Sequence, residues 1–98
     1  MDVEFADRAL DRLESDLNFS GGFPREVVRS YRKLMQAIRA APDERTFQAM
    51  KSLHFEKLKG DRDQQRSMRL NKQWRLIIEF RRDAAGKVVI VVSIEDYH

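Results

Sequence analysis

The chain of 98 residues contains no cysteine, which removes disulfide staples, thiolate metal sites and thiol nucleophiles together. Its two histidines, His54 and His98, form neither a His-x3-His nor an HExxH arrangement, so no metal site is expected. Two prolines and four glycines leave few breakers, and Gly60 is the sole glycine of the basic stretch. No phosphate-cradling glycine loop and no serine in a glycine elbow occur, so nucleotide hydrolysis and acyl transfer have no motif to rest on. No apolar run approaches the roughly 20 residues of a bilayer span. The opening Met1-Asp2-Val3-Glu4-Phe5 is acidic and lacks the basic and apolar regions of a secretion signal. These absences lead us to expect a cytoplasmic protein with no cofactor and no membrane contact. The length fits one domain over residues 1–98, in which only about 60–65% of the unfolded surface can be buried.

What the chain does have is charge, and the net value of +3 hides how it is placed. Residues 1–20 carry six acids against Arg8 and Arg12, a net of −4. Residues 51–75 carry eight bases against Glu56, Asp61 and Asp63, a net of +5. Such asymmetry within one small domain suggests an acidic end and a basic working surface that binds a polyanion. The plainer alternative is a solvated surface of mixed sign.

Ala6, Ala9, Leu10, Leu13 and Leu17 recur at helical spacing, and Asn18 to Gly22 supplies a turn. Pro24 then stands where a helix can begin. Val27, Val28, Tyr31, Leu34, Met35 and Ile38 make one apolar stripe, and Pro42 ends it. Residues 43–65 read as irregular, with an apolar patch at Phe47, Met50, Leu53 and Phe55. From there the period changes to two. Met68 and Leu70 alternate with polar neighbours; Trp74, Leu76, Ile78 and Phe80 point one way, and Arg75, Ile77, Glu79 and Arg81 the other. Arg82 to Gly86 reads as a hairpin loop, and Val88, Ile90, Val92 and Ile94 as the last apolar alternation, with Val89 and Val91 making the back face partly apolar as well. The expected fold class is α+β: two N-terminal helices packed on a small antiparallel sheet of three consecutive strands.

The alternation places Arg69 and Arg75 on the sheet face that the helices leave free. Metal-free cleavage of RNA needs a base for the ribose 2′-hydroxyl proton, cations for the phosphorane charge, and an acid for the leaving oxygen. Lys59, Arg62 and Arg75 could supply the cations, and Asp96, Tyr97 or His98 the proton transfers. Tyr97 could equally stack on an unpaired base. Against this stand a frayed terminus for Tyr97 and His98 and a solvated loop for Lys59 and Arg62.

From Leu58 onward the sequence resembles the HigB toxins of the RelE/ParE toxin–antitoxin superfamily. The match is carried by Leu58-Lys59-Gly60-Asp61-Arg62, Ser67, Asn71, Trp74-Arg75-Leu76, Glu79-Phe80 and Glu95-Asp96-Tyr97-His98. It implies a RelE/ParE-like fold whose C-terminus ends at the active-site face. It also implies a ribosome-dependent mRNA endonuclease that uses no metal, and a cognate HigA-type helix-turn-helix antitoxin, through which alone the toxin meets DNA. Carried over by motif, Lys59 and Arg62 contact the RNA backbone, with Lys57 and Arg69 adding to the cationic surface. Arg75 lies near the scissile phosphate, Tyr97 orients or stacks on the substrate, and Asp96 and His98 are proton-transfer candidates. Where relatives often carry a histidine two residues before the leucine of the LKGDR run, this chain has Glu56. If the stretch is extended, His54 shares its face and could substitute; Glu56 could itself be the base; or His54 could pack beside Phe55. A gyrase-poisoning toxin like ParE, without RNase activity, and a non-catalytic RNA-binding domain are the competing readings.

Overall fold

The computed structural model describes residues 1–97. Helix α1 (Arg8–Ser15) starts where the Asp7 carboxylate accepts from the Ala9 amide at 2.8 Å, capping an otherwise orphaned donor. It stops early because Asp16 turns extended, its carboxylate accepting from the Asn18 amide at 3.0 Å. The helical stripe is therefore narrower than the spacing predicts. Leu10 and Leu13 are buried, Ala6 and Ala9 are exposed, and Leu17 lies past the helix end, 78% exposed. Helix α2 (Arg25–Ala40) follows Pro24, and all six residues of its predicted stripe are buried. The two helices are fastened by side chains. The Tyr31 hydroxyl donates to the Leu10 carbonyl at 2.7 Å, and burial pushes its pKa up. Arg32 donates to the carbonyls of Leu13, Asp16 and Phe19, satisfying acceptors that a helix end leaves open.

Residues 43–65, expected to be irregular, hold a short helix α3 (Arg45–Ala49) and two 3₁₀ turns, Lys51–Leu53 and Gly60–Arg62. Phe47 is fully buried and meets Phe55 at 5.8 Å between ring centroids; Phe55 in turn meets Phe80 at 6.3 Å. The aromatic chain pins this connection to the sheet, so apolar packing orders what propensity alone does not.

The strands are β1 (Asp2–Phe5), β2 (Glu56–Lys57), β3 (Gln65–Arg69), β4 (Trp74–Asp83) and β5 (Gly86–Asp96). They form a five-stranded sheet in the order β1-β5-β4-β3-β2. The α+β class and the three consecutive antiparallel strands agree with the sequence reading. β1 adds a parallel pairing to β5, so the sheet is mixed, and β2 adds a two-residue edge. The β4–β5 turn is tighter than expected, Asp83 pairing with Gly86 at a φ of 129° that suits glycine.

The alternation on β5 differs from expectation. Val89 and Val91, read as the back face, join the core under the helices, and Ile94 packs against it, whereas Ile90 and Val92 do not and Val88 is buried outside that cluster. The register explains the difference: Ile78 pairs with Val91 and Ile77 with Ser93, leaving Val92 as an extra residue. This β-bulge inverts the phase of the strand. Before it the odd residues face the helices; after it the even ones do. Consequently Ser93, Glu95 and Tyr97 fall on the open face.

Three of the N-terminal acids are spent within the fold. Glu4 pairs with Arg81, Glu14 with Arg39 and Asp16 with Arg12. Among the described residues, no helix is long and apolar enough to cross a membrane.

Candidate nucleic-acid interface

The open face can be built row by row from the strand register. Arg69, Arg75 and Glu95 lie directly across from one another on β3, β4 and β5. The next row holds Glu56, Ser67, Ile77 and Ser93, and the row beyond it Gln65, Glu79 and Ile90. Successive rows are about 7 Å apart along the strands and neighbouring strands about 4.8 Å apart.

Arg62 reaches over these rows from the Gly60–Arg62 turn. Its Nε donates to the Gln65 side chain at 2.8 Å, and its two terminal nitrogens donate to the Glu95 carboxylate at 3.1 and 2.7 Å. Gln65 donates to Glu79 at 3.0 Å and Ser93 to Glu95 at 2.8 Å. Arg62 thus joins the first row to the third across Ile77, which is fully buried although it lies opposite the helices. The Arg62 guanidinium, bonded in bidentate fashion, and then the Ser93 hydroxyl hold the Glu95 carboxyl below its ordinary range; partial burial opposes them. Glu95 is therefore an anchor for Arg62 and a poor proton acceptor near neutrality.

The sign of the pH effect follows. A carboxyl with a lowered pKa in the folded state stabilises the fold above its unfolded pKa of about 4.3. That contribution is lost as pH falls through the lowered value. Glu95→Gln is expected to cost about 0.5–1 kcal/mol at pH 7, as a half-exposed pair does. Urea unfolding as a function of pH checks this: the difference from wild type should vanish as acid protonates Glu95.

At the end of the first row, the Arg75 guanidinium carbon lies 5.5 Å from the centroid of the Tyr97 ring, within cation–π range. Arg75 also donates to the Asn71 carbonyl at 3.3 Å. Tyr97 is 39% exposed, and its amide donates to the Gln73 carbonyl, which ties the chain end to the β3–β4 turn. Its ring is an accessible aromatic surface backed by a cation. Lys57 and Lys59 are exposed and make no ion pair among the described residues.

The structure thus brings together Arg62, Arg75 and Tyr97, with Lys59 on the neighbouring turn and Glu56 at the far edge. Three strand steps across the sheet and two rows along it, about 20 Å in all, separate the backbones of Glu56 and Tyr97. His54 departs from the sequence expectation. The segment before β2 is not extended: His54 follows a 3₁₀ turn in the left-handed region, at φ 47° and ψ 52°. The same-face argument linking it to Glu56 therefore fails, and it is exposed rather than packed beside Phe55. Its Nε2 lies 3.1 Å from an Arg69 nitrogen. Asp96 alternates away from Tyr97 and accepts from the Gln73 side chain at 3.0 Å. His98 lies outside the described residues. Among those described, no cluster of three His, Asp or Glu side chains could hold a metal ion. Sequence reasoning missed Gln65 and Glu95 as the holders of Arg62. The available signal was that Glu95 stands two residues before Tyr97, and so on its face.

A five-stranded mixed sheet with its helices on one face and the other face open is the fold of RelE/ParE-like toxins. The fold is similar to that of a YoeB/ParE toxin from Agrobacterium tumefaciens, with a TM-score of 0.64 at 15% identity, over 100% of both chains. The sequence matches the HigB-like toxin family, described as the RelE-like toxin of the type II toxin–antitoxin system HigB, over residues 3–98. The chain belongs to that family and is a toxin of the type II class, whose partner is an antitoxin. No curated protein matches it in sequence.

Proposed function

We propose that this toxin is a ribosome-dependent mRNA endonuclease that works without a metal ion and arrests translation in the cytoplasm. The observation that carries the reading is Arg75 beneath the exposed Tyr97 ring, in the same row as the Glu95 that anchors Arg62. An unpaired base can stack on the ring while its phosphate meets the guanidinium groups. In the reaction, the 2′-oxygen forms a bond to phosphorus as the bond from phosphorus to O5′ breaks. A base removes the 2′-proton and an acid protonates O5′, leaving a 2′,3′-cyclic phosphate and a 5′-hydroxyl. Arg75 and Arg62 stabilise the charge that builds on the phosphorane oxygens. Lys57, Lys59 and Arg69 hold the flanking backbone. Glu56, Asp96, His98 and His54 are the candidates for proton transfer. His54 and Asp96 lie off the row that holds Arg75. A HigA-type helix-turn-helix antitoxin is the expected partner.

The test is cleavage of a defined mRNA by the purified toxin, with and without translating ribosomes, in the presence of EDTA. We expect 5′-hydroxyl ends only when ribosomes translate. Intact mRNA beside stalled gyrase–DNA complexes in arrested cells would replace this reading with the gyrase one. RNA binding without scission would leave only a binding domain.

A further inference from the structure

A groove of about 360 Å³ lies beside the open face, between α2, the Lys51–Leu53 turn and the end of β3. This is the size of a small-ligand pocket. Its floor is apolar, made by Leu34, Leu53 and Leu70, and its walls carry Lys33, Arg69 and the hydroxyls of Ser30 and Ser52. No acidic residue lines it. Glu26, one turn before Ser30, is engaged by the Asn71 amide at 3.4 Å. Lys33 is exposed and makes no ion pair among the described residues.

Arg69 joins this groove to the site. It stands opposite Arg75 in the first row, yet its side chain lines the groove and reaches His54. It can do both because β2 covers the edge of β3 only at Arg66 and Ser67, so the sheet is open at Arg69. Tyr97, Arg75, Arg69 and Lys33 therefore mark a continuous track from the face of the sheet around its edge. An apolar floor with cationic and hydroxyl walls matches a nucleotide, whose base is apolar on its faces and whose phosphate is anionic.

We infer that this groove is a second subsite for the RNA strand, holding one nucleotide outside the reacting position, its phosphate between Lys33 and Arg69. The inference rests on the RNA reading above but not on cleavage. A short fluorescein-labelled single-stranded RNA, titrated against the full chain over a range of salt, tests it. Lys33→Ala is expected to weaken binding about fivefold and to lower the slope of log K against log salt by about 0.7, the value for one lost phosphate contact on a single strand. Arg25→Ala, which removes the same charge eight residues earlier, about 12 Å back along α2 and outside the groove lining, should stay within twofold of wild type. The same RNA carrying 4-thiouridine should crosslink to the peptide containing residues 50–53. Lys33→Ala binding RNA like wild type, wild type failing to bind RNA, or Lys33→Ala weakening antitoxin in place of RNA would each overturn the inference. A toxin that binds RNA in this Lys33-dependent way but never cleaves it would refute the endonuclease reading and leave the subsite standing.

Discussion

Arg75→Ala is expected to lower cleavage on translating ribosomes about 10²–10³-fold, the cost of losing one preorganised donor to transition-state charge. The geometry makes Arg75 hard to replace. Arg62 is bound in bidentate fashion to Glu95 and again to Gln65, so it cannot follow the phosphate without giving up those bonds. Arg69 turns toward His54 and the Asn71 carbonyl. Arg75 has one long hydrogen bond and the Tyr97 ring, so of these three arginines its guanidinium is the least committed to the fold. For the same reason the variant should remain folded, with a melting temperature within a few degrees of wild type. Arg75→Lys keeps the charge but loses the planar fork, and should recover only part of the rate. Single-turnover cleavage of ribosome-bound mRNA reads both variants; an Arg75→Ala protein cutting at the wild-type rate would remove Arg75 from the chemistry.

Phe47→Ala is expected to cost about 3–5 kcal/mol, the range for removing a fully buried aromatic ring. Small domains have only about 5–15 kcal/mol of total stability, and for a domain of this size each kcal/mol moves the melting point by about 4–8 °C. A fall of roughly 12 °C or more follows, read by calorimetry or circular dichroism. The damage should be directional as well. Phe47 holds Phe55, and Phe55 leads directly into Glu56, Lys57 and the turn that carries Arg62. At temperatures where the variant is still mostly folded, RNA binding should already be weaker, because the Lys57–Arg62 segment loses its anchor before the β4–β5 hairpin does.

The parts of the fold that could be read from sequence are those whose signal is local. The α2 stripe needed only helical spacing, and the Trp74–Phe80 alternation only a period of two. Asp2–Phe5 also alternates, but four residues are too few to declare a strand whose partner, Val88–Val91, lies at the other end of the chain. Helix α3 escaped notice because five residues give little periodicity, and its order comes from Phe47 reaching the core. The His54 backbone was invisible for another reason: nothing in Leu53-His54-Phe55 announces a left-handed residue, which appears only as the cap that closes the Lys51–Leu53 turn, its amide donating to the Lys51 carbonyl. For the candidate site, Arg62, Arg75 and Tyr97 could be picked out by motif and face. The Gln65–Arg62–Glu95 bridge could not, because it links residues whose nearness exists only once the sheet and the turn have formed.

The extra residue at Val92 has a consequence for how β5 responds to change. Val89 and Val91, before it, are fastened into the core, so a substitution there is felt first in whether the chain folds. From Ser93 onward the odd positions carry Glu95 and Tyr97 on the open face, so a substitution there is felt first in what that face presents. One strand therefore holds two separately tunable halves. Past Val92 it is Ile94 that still holds the strand to the core, while Tyr97 can be altered in shape with little effect on the hairpin that supports it.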